Sequence, residues 1–149
     1  MLETPHALVG MTIAAMIPNP WVGLPLAFLS HFGVDMLPHW NWEPDARPLS
    51  LLGIVLDLIL LEILVVYLAF QSPLKLNLAA GAFFAILPDL LEAPYIFFGF
   101  NNRWVKKLMR FQKGLQNRAP TLPGLLTQIL LSALCLLIRH GETKQLIEQ

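Results

Sequence analysis

Between Leu49 and Phe70 the chain is nearly all hydrocarbon side chain, and Asp57 and Glu62 are its only charges. At ~1.5 Å per residue a helix over this run exceeds the ~30 Å hydrocarbon core of a bilayer. A soluble fold would have to hide such a helix completely, and 149 residues leave too little interior for that. Composition points the same way: 56% of residues are hydrophobic and 13% charged, with mean hydropathy +0.60. A soluble domain carries about twice that charged fraction. The chain therefore reads as an integral membrane protein with a single domain.

Leu76 to Phe100 is a second spanning candidate, interrupted by Pro88-Asp89 and by Glu92-Ala93-Pro94. Two prolines free backbone carbonyls that must find other partners, which predicts irregular backbone there. Leu122 to Ile138 is just long enough to cross. The first segment differs: Thr4-Pro5 reads as a capped helix start, and Pro18-Asn19-Pro20 ends the helix too early to span. A second helix is predicted from Trp21 to Leu37, kinked or delayed by Pro25. The fold class is all-α, an integral membrane helical bundle of about five helices. It comprises a short N-terminal helical hairpin, two spanning helices, a basic amphipathic surface helix and a C-terminal apolar helix. Within the one domain, residues 1–100 form the metal-site core, 101–118 the basic segment and 122–138 the last helix.

The basic segment orients the rest. Arg103, Lys106, Lys107, Arg110, Lys113 and Arg118 fall in it without a single acid, and Trp104, Leu108, Phe111 and Leu115 recur at helical spacing. An amphipathic helix lying on an anionic membrane surface accounts for both patterns; a solvated basic loop requires the apolar stripe to be accidental. The positive-inside rule places the segment in the cytoplasm. By alternation the Trp40–Pro48 loop, with its tryptophans and Glu43, Asp45 and Arg47, is cytoplasmic as well. His6, His39, Asp57, Asp89 and Glu92 then share one depth near that face. The N-terminus lacks the basic start of an ordinary signal peptide and carries Glu3. A net charge of zero gives no global field for nucleic acid, and none is expected as a partner.

Half of the ten acidic residues (Asp35, Asp57, Glu62, Asp89, Glu92) interrupt apolar stretches that hold no basic residue to neutralise them. Intramembrane carboxylates are costly and pair, line a cavity or bind metal. His31, Asp35 and His39 recur every fourth residue, within roughly 80° on one helix face, although Pro38 weakens the last turn. Neutral imidazoles with ionised carboxylates are the ligand set of zinc, manganese or iron. Bland alternatives stand beside this. His6 can be a helix-start donor, His31 and Asp35 a hydrogen-bonded pair, and His39 an interfacial residue. Glu62, about 140° round from Asp57, faces elsewhere. Glu92 shares the face of Asp89, His140 is solvent-exposed, and Cys135 is an apolar filler.

At these residues the chain resembles the bacterial and archaeal inner-membrane proteins grouped as metal-dependent hydrolases, themselves similar to the all-α zinc-dependent phospholipase C and single-strand nuclease group. The matching motifs are Thr4-Pro5-His6-Ala7-Leu8, Leu29-Ser30-His31 through Asp35-Met36-Leu37-Pro38, and Leu87-Pro88-Asp89. Where the family often shows a second aspartate and a histidine after Pro-Asp, Leu90-Leu91-Glu92-Ala93 follows here. The resemblance implies that His6, His31, Asp35 and Asp89 bind a divalent metal, zinc first and manganese or iron next, joined by His39 and Asp57. Metal-activated water would attack a substrate ester, with Asp89 or Glu92 accepting its proton. Arg103, Lys106, Lys107, Arg110 and Lys113 suit a lipid phosphoester or another anionic amphiphile at the cytoplasmic face. Two other classes remain open: a cation or proton transporter, and a structural protein whose metal staples the bundle. Membrane lipid is the expected partner, and pairing with a second copy a further expectation.

Overall fold

In a computed structural model, which describes residues 1–42 and 48–147, the chain is all-helical. The helices are α1 (Glu3–Met16), α2 (Pro20–Asp35), α3 (Pro48–Phe70), α4 (Lys75–Phe98), α5 (Arg103–Leu115) and α6 (Thr121–Ile147). There are six rather than about five, because the N-terminal hairpin is two separate helices. Glu43, Asp45 and Arg47 of the expected interfacial loop lie outside the described residues.

Three helices are long and apolar enough to cross a membrane: Leu49–Phe70, Lys75–Phe98 and Thr121–Gly141. Their outer faces remain uncovered by the rest of the chain. Leu52, Leu56, Ile59, Ile63 and Val66 are exposed along α3, as are Leu126, Ile129, Leu130 and Leu137 along α6. So continuous an apolar surface is compatible with lipid and not with water.

The two short helices have a different role from a hairpin resting at the membrane edge. α1 is covered on nearly all sides by α2, α3, α4 and α6, and is the centre of the bundle. Its length alone does not span, yet a helix apolar all round is one that other helices surround. α1 and α4 touch through small residues one turn apart, Gly10 and Ala14 facing Gly81 and Ala85. A Cβ at Gly10 would strike the Gly81 carbonyl oxygen, and one at Gly81 would lie 2.5 Å from Ala14 Cβ. Small residues at such spacing let two backbones approach where no hydrophobic force distinguishes protein from lipid. Beside this crossing Ala7, Met11, Leu61, Val65, Leu78, Ala82 and Ile86 form the apolar core. Asn77 fastens the far end, its Nδ2 donating 2.7 Å to the Ala14 carbonyl. Gly10→Ala is expected to force α1 and α4 apart and destabilise the fold by about 1–3 kcal/mol. Reversible unfolding in mixed micelles measures it; an unchanged midpoint would contradict the close crossing.

Several boundaries depart from expectation for physical reasons. α1 has no side-chain cap of its own at Leu2, and Thr4 bonds to α3 instead. α2 ends at Asp35, where Leu37 N–H turns back to the Val34 carbonyl at 3.0 Å, leaving His39 on the following loop. α4 runs unbroken through Pro88 and Pro94. Three residues before Pro88 the Ala85 carbonyl accepts from His31 Nδ1 at 2.8 Å. α6 continues past Ile138 to Ile147 through Gly141, as no proline stands there to stop it.

Candidate metal centre

The site lies where the start of α1, the end of α2 and the last turn of α5 meet the inner part of α4. Asp35, the last residue of α2, is the hub. His6 Nε2 of α1 lies 3.3 Å from its Oδ1, and His31 Nε2, one turn back on α2, lies 3.6 Å from its Oδ2. His39 Nε2 approaches Oδ1 at 3.8 Å, and the Met1 amine donates to the same oxygen at 2.9 Å. The rings of His6 and His31 stack with centroids 4.1 Å apart and an 18° interplanar angle. Asp89 reaches in from α4, its Oδ1 3.4 Å from His31 Nε2. His6, His31, Asp35 and His39 are all fully buried, whereas the Asp89 side chain is 27% exposed and opens the cluster to the outside.

Two tautomers follow from the partners. A carbonyl oxygen can only accept, so His31 Nδ1 donates to Ala85 and His39 Nδ1 to Leu37, both at 2.8 Å. A neutral imidazole then carries its lone pair on Nε2, the atom turned toward Asp35 in each ring. Backbone carbonyls that hold the far nitrogen of a histidine are the usual support of a metal-ligating ring. Among the described residues neither ring nitrogen of His6, nor His39 Nε2, has a hydrogen-bond partner of good geometry. Buried imidazole nitrogens without partners are costly unless something binds them.

The spacing suits an ion. Donors ~2.1 Å from a tetrahedral metal stand ~3.4 Å from one another. One ligand atom each from His6, His31 and Asp35 lie together within 4.8 Å, and the His6–Asp35 and His31–Asp35 contacts bracket the tetrahedral separation. Charge also fits. Burial pushes the His6 imidazole down to about 4, against the opposing pull of Asp35, so it is neutral at pH 7. Burial raises the Asp35 carboxyl, but His6 and the Met1 amine outweigh it and hold the group well below the ordinary carboxylate range. Burial and the Met1 amine lower His39. Burial also opposes charge on His31, yet the Asp89 and Asp35 carboxylates outweigh it and raise that ring. The field that draws a proton to His31 Nε2 draws a cation to the same lone pair, so metal and proton compete there.

Other expected residues take other places. Asp57 does not join the cluster: its carboxylate caps α1 from across the bundle. It accepts from Glu3 N–H, from Thr4 N–H at 3.4 Å and from Thr4 Oγ1 at 2.7 Å. Orphan N–H groups of a helix start take an acidic partner readily, so an acid buried in α3 has a structural reason to exist. Asp57→Ala is expected to cost about 1 kcal/mol of stability with metal content unchanged. Melting the variant in detergent alongside elemental analysis separates the two roles, and metal loss would restore Asp57 as a ligand. Glu92 is buried and lines the cavity between α3, α4 and α5, its Oε1 without a partner among the described residues. Glu62 faces outward from α3, and His140 is exposed. Gln128 stands at the site's end of the bundle rather than the opposite one, tying Leu2 N–H (2.9 Å) to the Trp40 carbonyl (2.8 Å).

Three contributors lay outside the pattern of acids and histidines in apolar runs. Gln112, buried on α5, donates from Nε2 to Asp89 Oδ1 at 3.1 Å and to His31 Nε2 at 3.2 Å. The strand-like stretch after α5 closes over the loop after α2, with His39 N–H to Asn117 O at 3.0 Å and Ala119 N–H to His39 O at 2.8 Å. Glu3 is half-buried beside Asp89; burial first and that carboxylate second raise it well above its usual range. Its signal was present in sequence, since Glu3 and His6 stand one turn apart on α1.

α5 settles against the bundle by an unexpected face. Gln112 is buried and Val105, Met109 and Gln116 are half-buried, while Trp104 and Phe111 are exposed. The apolar stripe is thus centred about 100° away from the docked face; its Leu108 and Leu115 are half-buried and Phe111 meets the Phe32 ring edge-on, centroids 5.4 Å apart. Arg103, Lys107, Arg110 and Lys113 are exposed, and Lys106 is half-buried beside the Tyr95 ring. No protein-family model matches the chain, and comparison with curated proteins and with solved structures finds no similar one.

Proposed function

We propose that the protein is a membrane-bound, metal-dependent hydrolase of the phosphoester class. The observation that carries this reading is the buried convergence of His6, His31 and Asp35 from two helices, within 4.8 Å of one another. Zinc is the first candidate, with manganese or iron next, because two imidazoles and a carboxylate suit those ions. His39 and Asp89 stand next in line as ligands, at 3.8 Å from Asp35 and 3.4 Å from His31. A divalent cation in such a site supplies a Lewis acid and makes bound water acidic enough to act near neutral pH.

The chain's own groups provide the rest. Asp89 is the ligand candidate that opens outward, so a substrate meets the centre beside it. Glu92, one turn further along α4, has an unpartnered carboxylate oxygen with which to accept a proton. Gln112 holds Asp89 in place from above and keeps α5 seated over the centre. The exposed Trp104 and the exposed part of Phe111, with Arg103, Lys107, Arg110 and Lys113 around them, support α5 lying on an anionic lipid surface. This suits a lipid phosphoester or a related anionic amphiphile; the positive-inside rule supports a site at the cytoplasmic face, and the resemblance supports a prokaryotic inner membrane. The earlier resemblance to inner-membrane metal-dependent hydrolases supports the same reading.

A transporter needs polar groups continuing beyond the cluster. Of the candidates, Asn77 is engaged with the Ala14 carbonyl, Glu62 faces outward, and Gln128 sits at the site's own end. A metal that only staples the bundle would leave no open position, and turnover separates that case. Zinc-loaded protein is expected to release phosphate or a phosphorylated headgroup from lipid phosphoesters, to stop after chelation and to recover with added metal. Cleavage of neutral esters alone, or turnover unaffected by chelation, would overturn the proposal.

A further inference from the structure

Among the described helices α3 touches only α1 and α4, so it stands at the edge of the bundle with one face uncovered along its whole length. Its hydrocarbon side chains point all round and mark no part of that face as special. Glu62 does. Its side chain is exposed, and among the described residues none bonds to it or pairs with its charge. At ~1.5 Å per residue it stands ~12 Å inside the Phe70 end of the span, within the hydrocarbon layer. A carboxyl group there is costly until something pairs with it. Glu62 lines a groove on α3 with Val66 and Phe70. It also keeps a register: Leu52, Val55, Ile59, Glu62 and Val66 succeed one another at intervals of three, four, three and four residues, and all five are exposed. That is the spacing of the seam along which two helices interlock, here with β-branched residues at three of its five layers.

We infer that the protein pairs with a second copy of itself along this seam of α3, the two Glu62 carboxyl groups hydrogen-bonding across the two-fold axis. Two copies inserted in the same orientation are related by an axis along the membrane normal, so their α3 helices run parallel and each layer meets its own counterpart. Glu62 then finds Glu62 at its own depth, a match that a foreign helix would have to supply separately. The chemistry is self-complementary as well. A carboxylic acid offers a donor and an acceptor in one group, so two of them satisfy each other without a basic residue, and α3 holds none. Polar contacts of this kind join membrane helices where apolar surface alone does not distinguish protein from lipid. The seam lies on the uncovered side of α3, so pairing disturbs no contact with α1 or α4. It stands independently of the hydrolase reading.

The test is sedimentation equilibrium of the full-length protein in density-matched micelles, across a range of protein-to-detergent ratios. A reversible monomer–dimer equilibrium is expected. Glu62→Leu keeps the face apolar but removes the hydrogen bonds, and is expected to weaken pairing roughly five- to thirtyfold. Glu62→Gln, whose amide again pairs with itself, is expected to stay within about threefold of the native protein. Val66→Trp overfills the neighbouring layer and is expected to weaken pairing as well. Each variant's melting curve reports that it is folded. The register is read by cross-linking in a Cys135→Ala background. Ile59→Cys and, separately, Val66→Cys are expected to form a disulfide between copies under copper phenanthroline. Leu60→Cys, exposed but ~100° round the helix from Ile59, is expected to form little. A chain that stays monomeric at every ratio would overturn the inference and leave Glu62 to lipid or to a basic helix of another protein. Undiminished pairing in folded Glu62→Leu or Val66→Trp, or cross-linking at Leu60→Cys as ready as at Ile59→Cys, would overturn it too.

Discussion

Asp35→Ala is expected to leave purification without its metal and to unfold far more easily than the native protein. Asp35 is the one group that His6, His31, His39 and the Met1 amine all approach within 3.8 Å. Removing it takes away a ligand and leaves the buried Met1 amine without its counter-charge. Breaking a buried ionic cluster in this way costs about 3–5 kcal/mol. Asp35→Asn keeps the shape and separates the two effects: the fold is expected to survive better, while metal binding is still lost with the charge. Elemental analysis and unfolding in mixed micelles report them independently. Native metal content in either variant would remove Asp35 from the ligand set.

The second large effect falls on turnover. Glu92→Gln preserves volume and burial but removes the acceptor that can take a proton beside the centre, so hydrolysis is expected to fall by about 10²- to 10⁴-fold. Metal content and melting temperature are expected to stay at native values, because no metal-ligand candidate bonds to Glu92. Rates measured on metal-loaded variant and native protein decide this. A variant that retains full activity would move the base to Asp89, and one that loses metal would make Glu92 a ligand.

The large features were legible because they follow from strong, local preferences. Three apolar runs of spanning length declared themselves, and acids at Asp57 and Asp89 fell where chain alternation put them at one depth. His31 and Asp35 were readable from their one-turn spacing, which a helix converts directly into a shared face. What was not legible depends on contacts far apart in sequence. Nothing local says that α1 is central, since a short apolar helix reads equally as a membrane-edge hairpin; Gly10 meeting Gly81 decides it. Asp57 looked like a ligand because its alternative partners, the N–H groups of Glu3 and Thr4, belong to another helix. Gln112 and Gln128 carry no charge and so gave no sign that each is buried with partners waiting. The prolines of α4 predicted a broken backbone, and the helix instead kept its course.

Everything functional depends on imidazole nitrogen and carboxylate oxygen meeting around one ion. X-ray absorption at the metal edge of purified, zinc-loaded protein examines that directly. The account predicts nitrogen and oxygen neighbours at about 2.0–2.1 Å, with the outer-shell scattering of at least two imidazole rings, and loss of that ring signal in His31→Ala. An all-oxygen shell, a sulfur neighbour, or an unchanged spectrum in His31→Ala would contradict it.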